Sequence, residues 1–176
     1  PNRIIFNLLK KNCKSFKNIK INNFGISYQN EKKILYFVNN KSSQGSYYKS
    51  NSTFNLSYKN ITKTKTALKK LKTFQYFDLV KIDTEGFELD VLKGASRVLS
   101  EIKPKAIILE WNWHQLFRGG TLLQIQELLP DYQAFRVLPY KKGLYPVDTT
   151  RPEENICHYS NYVFVRSDLV RKFLQD

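Results

Sequence analysis

Asp83 and Glu85 stand two residues apart at the end of the apolar run Leu79–Ile82, just ahead of Gly86. A buried strand that ends in two carboxylates and a glycine delivers negative charge into a sharp turn, because glycine adopts backbone conformations that side chains disfavour. The pattern after the turn is helical, and a helix points its positive end back toward such a turn. Carboxylates held there can bind a cation, orient a polar ligand or take a proton from a hydroxyl. The pair also has a purely structural reading, in which Asp83 or Thr84 caps the helix and Glu85 complements its dipole. His114, just past Glu110-Trp111-Asn112-Trp113, is a candidate general base or a packed loop histidine. Trp111 and Trp113 can stack on a sugar face or close the core. Arg118-Gly119-Gly120 reads as the hinge of a mobile loop or as a turn before a helix. Cys157-His158 is too small a group for a metal site, so no metal is expected.

The elements that must position these groups follow from apolar periodicity. Ile4–Lys11 reads as a short helix, Ile19–Asn22 as a strand, and Ile34–Val38 as a second strand. Residues 39–65, rich in Asn, Ser, Lys and Thr, read as a loop or insertion, and Thr66–Leu71 as a helical turn. Leu79–Ile82 is a buried strand ending at Asp83. Phe87–Ser100 is the clearest helix, with Val91, Leu92, Ala95, Val98 and Leu99 at helical spacing, and Pro104 prevents its continuation. Ala106–Leu109 is a strand ending at Glu110, and Leu122–Leu129 is an amphipathic helix stopped by Pro130. Ala134–Leu138 and Tyr162–Arg166 are strands, and Asp168–Leu174 is a closing helix capped by Ser167. Alternating strands and helices predict an α/β fold with a mostly parallel sheet and an antiparallel pair at one edge. The expected neighbours are Ile19–Asn22, Leu79–Asp83 and Ala106–Glu110, with Leu79–Asp83 central. Ligands of such sheets bind beyond the carboxyl ends of the strands, which directs attention to Asn22, Asn23, Asp83, Glu85, Glu110 and Asn112.

Composition narrows the classes. A chain of 176 residues with 41% hydrophobic and 14% aromatic residues can bury one core. No apolar run is long enough to span a bilayer, and two distant cysteines, Cys13 and Cys157, build no disulfide framework. Reduced thiols and the lack of a signal-peptide pattern point to a cytoplasmic protein. The net charge of +14 is uneven: residues 1–77 hold 16 Lys/Arg against the single acid Glu31, whereas residues 78–176 hold 13 Lys/Arg against 14 acids. A basic half can meet nucleic acid, anionic lipid or an anionic sugar. Its excess is Lys among Asn, Ile and Tyr, however, with hardly any Arg for reading phosphates, so a nucleic-acid partner is not expected. The Asn-X-Ser/Thr triplets at Asn51, Asn55 and Asn60 fall in so Asn-rich a stretch that chance accounts for them.

The longer string Lys81-Ile-Asp-Thr-Glu-Gly-Phe-Glu-Leu-Asp-Val-Leu-Lys-Gly-Ala95 closely resembles the signature of FkbM-type methyltransferases, approximately K-I-D-x-E-G-x-E-x-x-V-L-x-G-A. Pro1-Asn2 is similar to the end of that family's acidic-Pro-Asn segment, Asn23-Phe-Gly-Ile-Ser27 to the turn after its third strand, and Ala106-Ile-Ile-Leu-Glu110 to its fifth strand. The resemblance implies a Rossmann-like class I methyltransferase domain over residues 1–176, using S-adenosylmethionine to O-methylate a small-molecule or glycan acceptor. It places Asn23 and Phe24 at the adenine, and Asp83 and Glu85 at the methionyl end or the acceptor. Asp83, Glu85 and His114 are then the catalytic candidates, and Asn23, Phe24 and Asp83 the cofactor-binding ones. The family's glycine-rich loop and ribose-binding acid would precede Pro1, so the chain is expected to be an N-terminally truncated piece lacking the first strands. The Leu-Asp-Asp usual before the fourth strand stands here as Leu68-Lys69-Lys70. Two rivals remain: a truncated, non-catalytic domain, and a basic nucleic-acid-binding module. Oligomeric state is not legible.

Overall fold

The computed structural model describes residues 2–38, 45–47, 61–69, 76–116, 118–139, 143–156 and 159–173. The chain begins with helix α1 (Arg3–Asn12), whose Asn2 side chain accepts the Ile4 amide at 2.9 Å as an N-cap. Strands β1 (Gly25–Ile26), β2 (Glu31–Val38), β3 (Gly45–Ser46) and β4 (Ile61–Lys69) form a four-stranded sheet in the order β1-β4-β2-β3. In it β1 runs parallel to β4, and β2 runs antiparallel to β3 and to β4.

A second sheet carries the rest. It contains β5 (Leu79–Ile82), β6 (Ala106–Trp111), β7 (Tyr132–Val137), β8 (Leu144–Pro146) and β9 (Ser160–Arg166), in the order β5-β6-β9-β7-β8. Helix α2 (Glu88–Ile102) connects β5 to its parallel neighbour β6, as a crossover must. Helix α3 (Trp113–Leu116) and helix α4 (Leu122–Leu128) lead to β7, and α5 (Val170–Phe173) follows β9. Helix α4 starts on a capping box, Thr121 and Gln124 each bonding the other's backbone.

Apolar faces decide how these layers meet. Val91, Leu92, Ala95 and Leu99 of α2 bury against Ile107, Leu109 and Trp111 of β6, Leu122 and Ile125 of α4, and Tyr162 and Phe164 of β9. The opposite sheet face packs Ala106, Phe135, Val163 and Val165 with Leu169 and Val170. Helix α2 also touches the first sheet. A Cβ on Gly94 would overlap the carbonyl of Ser27 and lie 2.9 Å from the Tyr28 amide. Only glycine permits that approach between helix and backbone.

Several expectations are corrected. Ile19–Asn22 is not a strand; the strand of this region is the shorter β1, three residues later. Thr66–Leu71 is not helical where it is described, because Thr66–Lys69 ends the β4 strand. The predicted loop over 39–65 contributes β3 and the start of β4 in its described parts, and the rest of it, including the Asn51 and Asn55 triplets, lies outside the described residues. The alternating Thr and Lys of β4 hid a strand because neither set of alternate positions is apolar, so no period-2 pattern stands out. The described sheets are mixed rather than mostly parallel: β5 with β6 and β1 with β4 are parallel, and the remaining pairs are antiparallel. Among the described residues Leu79–Ile82 lies at an edge of its sheet, not at the centre, and the antiparallel pair β7 and β9 is interior because β8 covers β7. The last helix begins as a 3-10 turn at Ser167–Leu169, and no side chain caps it.

Candidate functional site

Parallel pairing brings the acids together. Leu79 sits opposite Ala106 and Ile82 opposite Leu109, so Asp83 and Glu110 emerge side by side at the carboxyl ends of adjacent strands. Between Asp83 and α2 the chain turns through two successive left-handed residues, Glu85 at φ 54° and Gly86 at φ 92°. Glycine takes that conformation freely, but a glutamate pays of order 1–2 kcal/mol for it. The turn swings the Glu85 carboxylate toward Asp83 and Glu110. Oxygen atoms of all three lie within 4.8 Å of one another, and together they form the one cluster among the described residues able to hold a metal ion.

The electrostatics follow from that crowding. Partial burial raises the Glu85 pKa above the ordinary carboxylate value, and the charges of Glu110, Asp83 and Glu88 push it further in the same direction. His114 sits beside it, with Nδ1 3.8 Å from a Glu85 oxygen. Burial lowers the His114 pKa, and Glu110 partly opposes that fall. Glu110 accepts hydrogen bonds from the Tyr159 hydroxyl at 2.8 Å and from Asn112 at 3.2 Å, and the bond to the Glu110 carboxylate is the largest reason that the Tyr159 pKa is pushed up to about 12. Asn112 in turn accepts the His114 amide at 3.1 Å, which fixes the start of α3 over the cluster. A raised carboxyl next to a neutral imidazole is an arrangement able to take up and pass on a proton.

A cleft of about 620 Å³ runs along β5 from Phe24, Gly25 and Ile26 to Asp83 and Thr84, with Val91, Ala95 and Leu99 of α2 in its wall. Of the residues singled out in the sequence, Asp83 and Phe24 line this cleft. Glu85 and His114 stand together at the acidic cluster, and Asn23 is exposed outside the cleft lining. Asp83 is itself half exposed and pairs with Lys81 Nζ at 2.6 Å. Neither Asp83 nor Thr84 caps α2: Phe87 occupies the cap position, with no side-chain cap hydrogen bond. Trp111 is fully buried and closes the core, as the structural alternative for it held. Cys157 and His158 lie outside the described residues.

Three residues of the site take their roles from contacts that the sequence did not show. Glu88 is wholly buried in the first turn of α2, where its Oε1 accepts the Thr84 amide at 2.8 Å, the Thr84 hydroxyl at 3.0 Å and the Gly86 amide at 3.3 Å. Burial raises its pKa, and those hydrogen bonds work against the rise. Gln115 of α3 donates to the other carboxylate oxygen. Arg118 lies in the turn before α4, one of its two expected readings, and there donates to the Gly86 carbonyl, pairs with Asp90 at 2.6 Å and lies over the Phe87 ring at 5.4 Å. The only sequence trace of Glu88 and Asp90 was their place in the 81–95 string. Gln115 left none and Arg118 only its place before two glycines, because their partners are 27 to 32 residues away.

Residues 1–137 match the family described as the methyltransferase FkbM domain. Among solved structures, the chain is similar to a methyltransferase FkbM from Methylobacillus flagellatus KT, with 17% identity and a TM-score of 0.49 over 93% of this chain. The aligned part is 34% of that protein, so the chain spans about a third of its length. No curated protein matches.

Proposed function

The chain belongs to the FkbM methyltransferase domain family, and from that premise we propose that residues 1–176 serve in an S-adenosylmethionine-dependent methyltransferase that methylates a hydroxyl of a sugar, glycan or other small molecule. The observation that carries the reading is the convergence of Asp83, Glu85 and Glu110 beside His114, at the carboxyl ends of β5 and β6. The donor set suits the cofactor: three carboxyl groups face one point, and S-adenosylmethionine carries a sulfonium and an ammonium. When bound, it supplies a methyl group already activated for transfer to an oxygen nucleophile.

The chain's own residues then have two tasks. Asp83, at the end of the cleft that begins at Phe24, holds the cationic end of the donor and sets the junction with the acceptor. Glu85, with its pKa raised, accepts the acceptor hydroxyl proton, and His114 stands beside it at 3.8 Å. Asn23 and Phe24 serve the adenine end. Holding the reacting atoms in line contributes more than any proton transfer, since the methyl group is activated before it is bound.

The test is transfer of labelled methyl from S-adenosylmethionine to a panel of sugars and glycans, beside calorimetric titration of the donor. Asp83→Ala should reduce transfer by about a hundredfold, the cost of misplacing reacting groups. Its melting temperature should barely change, because an exposed carboxylate at a strand end adds little to the core. Full activity in Asp83→Ala would remove that residue from the mechanism. A protein that neither binds the donor nor transfers methyl to any acceptor would overturn the reading itself.

A further inference from the structure

Glu88 occupies a place where a helix usually carries a surface acid that complements its dipole. Here the side chain is wholly buried and turns back beneath the 83–86 turn. Its Oε1 receives two amides and a hydroxyl from Thr84 and Gly86, and its Oε2 receives Gln115 from α3. A buried carboxylate persists only when so satisfied, and its bonds then fix whatever donates to it. Arg118 holds the turn from the other side by binding the Gly86 carbonyl while anchored on Asp90. The peptide units on both sides of Gly86 are therefore held by side chains, and Glu85 lies directly before them in its left-handed conformation. The same grip reaches α3, where Gln115 follows His114.

We propose that Glu88 is a positioning residue: it locks the 83–86 turn, keeps the Glu85 carboxylate aimed at Asp83 and Glu110, and through Gln115 sets His114 against Glu85. Its importance for catalysis rests on reading that turn as the methyl-transfer site, but its grip on the turn does not. A Gln at position 88 can still present one oxygen to the turn amides, whereas an Ala presents nothing. Conservative rescue therefore separates a positioning role from simple filling of space.

The experiment compares Glu88→Ala, Glu88→Gln and Gln115→Ala in the intact chain by amide hydrogen exchange and by NMR titration of the His114 ring. In Glu88→Ala, exchange at Thr84 and Gly86 should rise about tenfold beyond any change at Val91 and Leu92, as local opening requires. Glu88→Gln should restore most of that protection. The His114 midpoint should move up toward its ordinary value in Glu88→Ala and Gln115→Ala and stay near wild type in Glu88→Gln. Equal exchange throughout α2, or an unmoved His114 midpoint, overturns the proposal. If Glu88→Ala does not fold, Gln115→Ala decides through the His114 titration alone. With an acceptor in hand, kcat in Glu88→Ala should fall by about a hundredfold and Glu88→Gln should recover most of it. A wild-type protein that never binds S-adenosylmethionine would sink the methyltransferase reading and leave the exchange and titration results to judge the lock.

Discussion

Helices α1 and α2 are both amphipathic, yet they end in opposite circumstances. Helix α2 buries Val91, Leu92, Gly94, Ala95, Val98 and Leu99, while α1 buries none of its residues and leaves Ile4, Leu8 and Leu9 exposed. Their surroundings differ in charge as well. No acid precedes Glu31, whereas α2 begins with Glu88 and Asp90 at its positive end. The contrast teaches that periodicity specifies a helix but not its partner. Helix α2 has a sheet, a second helix and the Ser27 backbone to pack on, and that packing fixes the turn from which Glu85 projects.

The sharpest way to break this comparison is to truncate one leucine in each helix. Leu92→Ala should cost about 2–5 kcal/mol, the range for a fully buried leucine, as read by urea denaturation. A loss below that range would mean that the α2 interface repacks easily and holds the site loosely. Gly94→Ala should cost about 1–3 kcal/mol, because the added methyl meets the Ser27 carbonyl and one of the two backbones must yield. Unchanged stability there would show that α2 does not press on the first sheet.

Glu85→Gln tests the acidic turn through pH. The native state binds the Glu85 proton more tightly than the unfolded chain does, because its pKa is raised. That contribution is complete below the unfolded value of about 4.3 and is lost as pH rises through the raised native pKa. Melting temperature in wild type should therefore fall across that window, and Glu85→Gln should flatten part of the fall. Part should remain, because Glu88 is raised in the same sense. An identical pH profile in the variant would detach Glu85 from the cluster. The smallest effect belongs to Leu8→Ala, expected within about 0.5 kcal/mol of wild type, since Leu8 is 50% exposed.

Legibility followed the range of the interactions. The α2 helix, the strand before it and the strand after Pro104 were readable because apolar spacing and a proline act within a few residues. The site was half readable: Asp83 and Glu85 stood out as two acids beside a glycine, and Glu110 as an acid at a strand end. Glu88 resembled any helix-start acid, and Arg118 resembled part of a flexible turn. Only contact with Thr84 and Gly86 gave those two a role. Strand β4 was missed for a related reason. Its alternating Thr and Lys carry little apolar signal, and its pairing with β2 closes across residues 39–60, beyond the reach of local pattern.

By itself, then, the sequence determined the family signature over residues 81–95, the α/β alternation and the acids at the ends of two strands. All of these are written in residue type at short spacing. Tertiary structure decided the rest. Among the described residues it put Leu79–Ile82 at a sheet edge, set β9 between β6 and β7, and brought Glu110 and His114 to Glu85. Strand order and register depend on which distant surfaces exclude water together, and that free energy exists only once the chain has closed on itself.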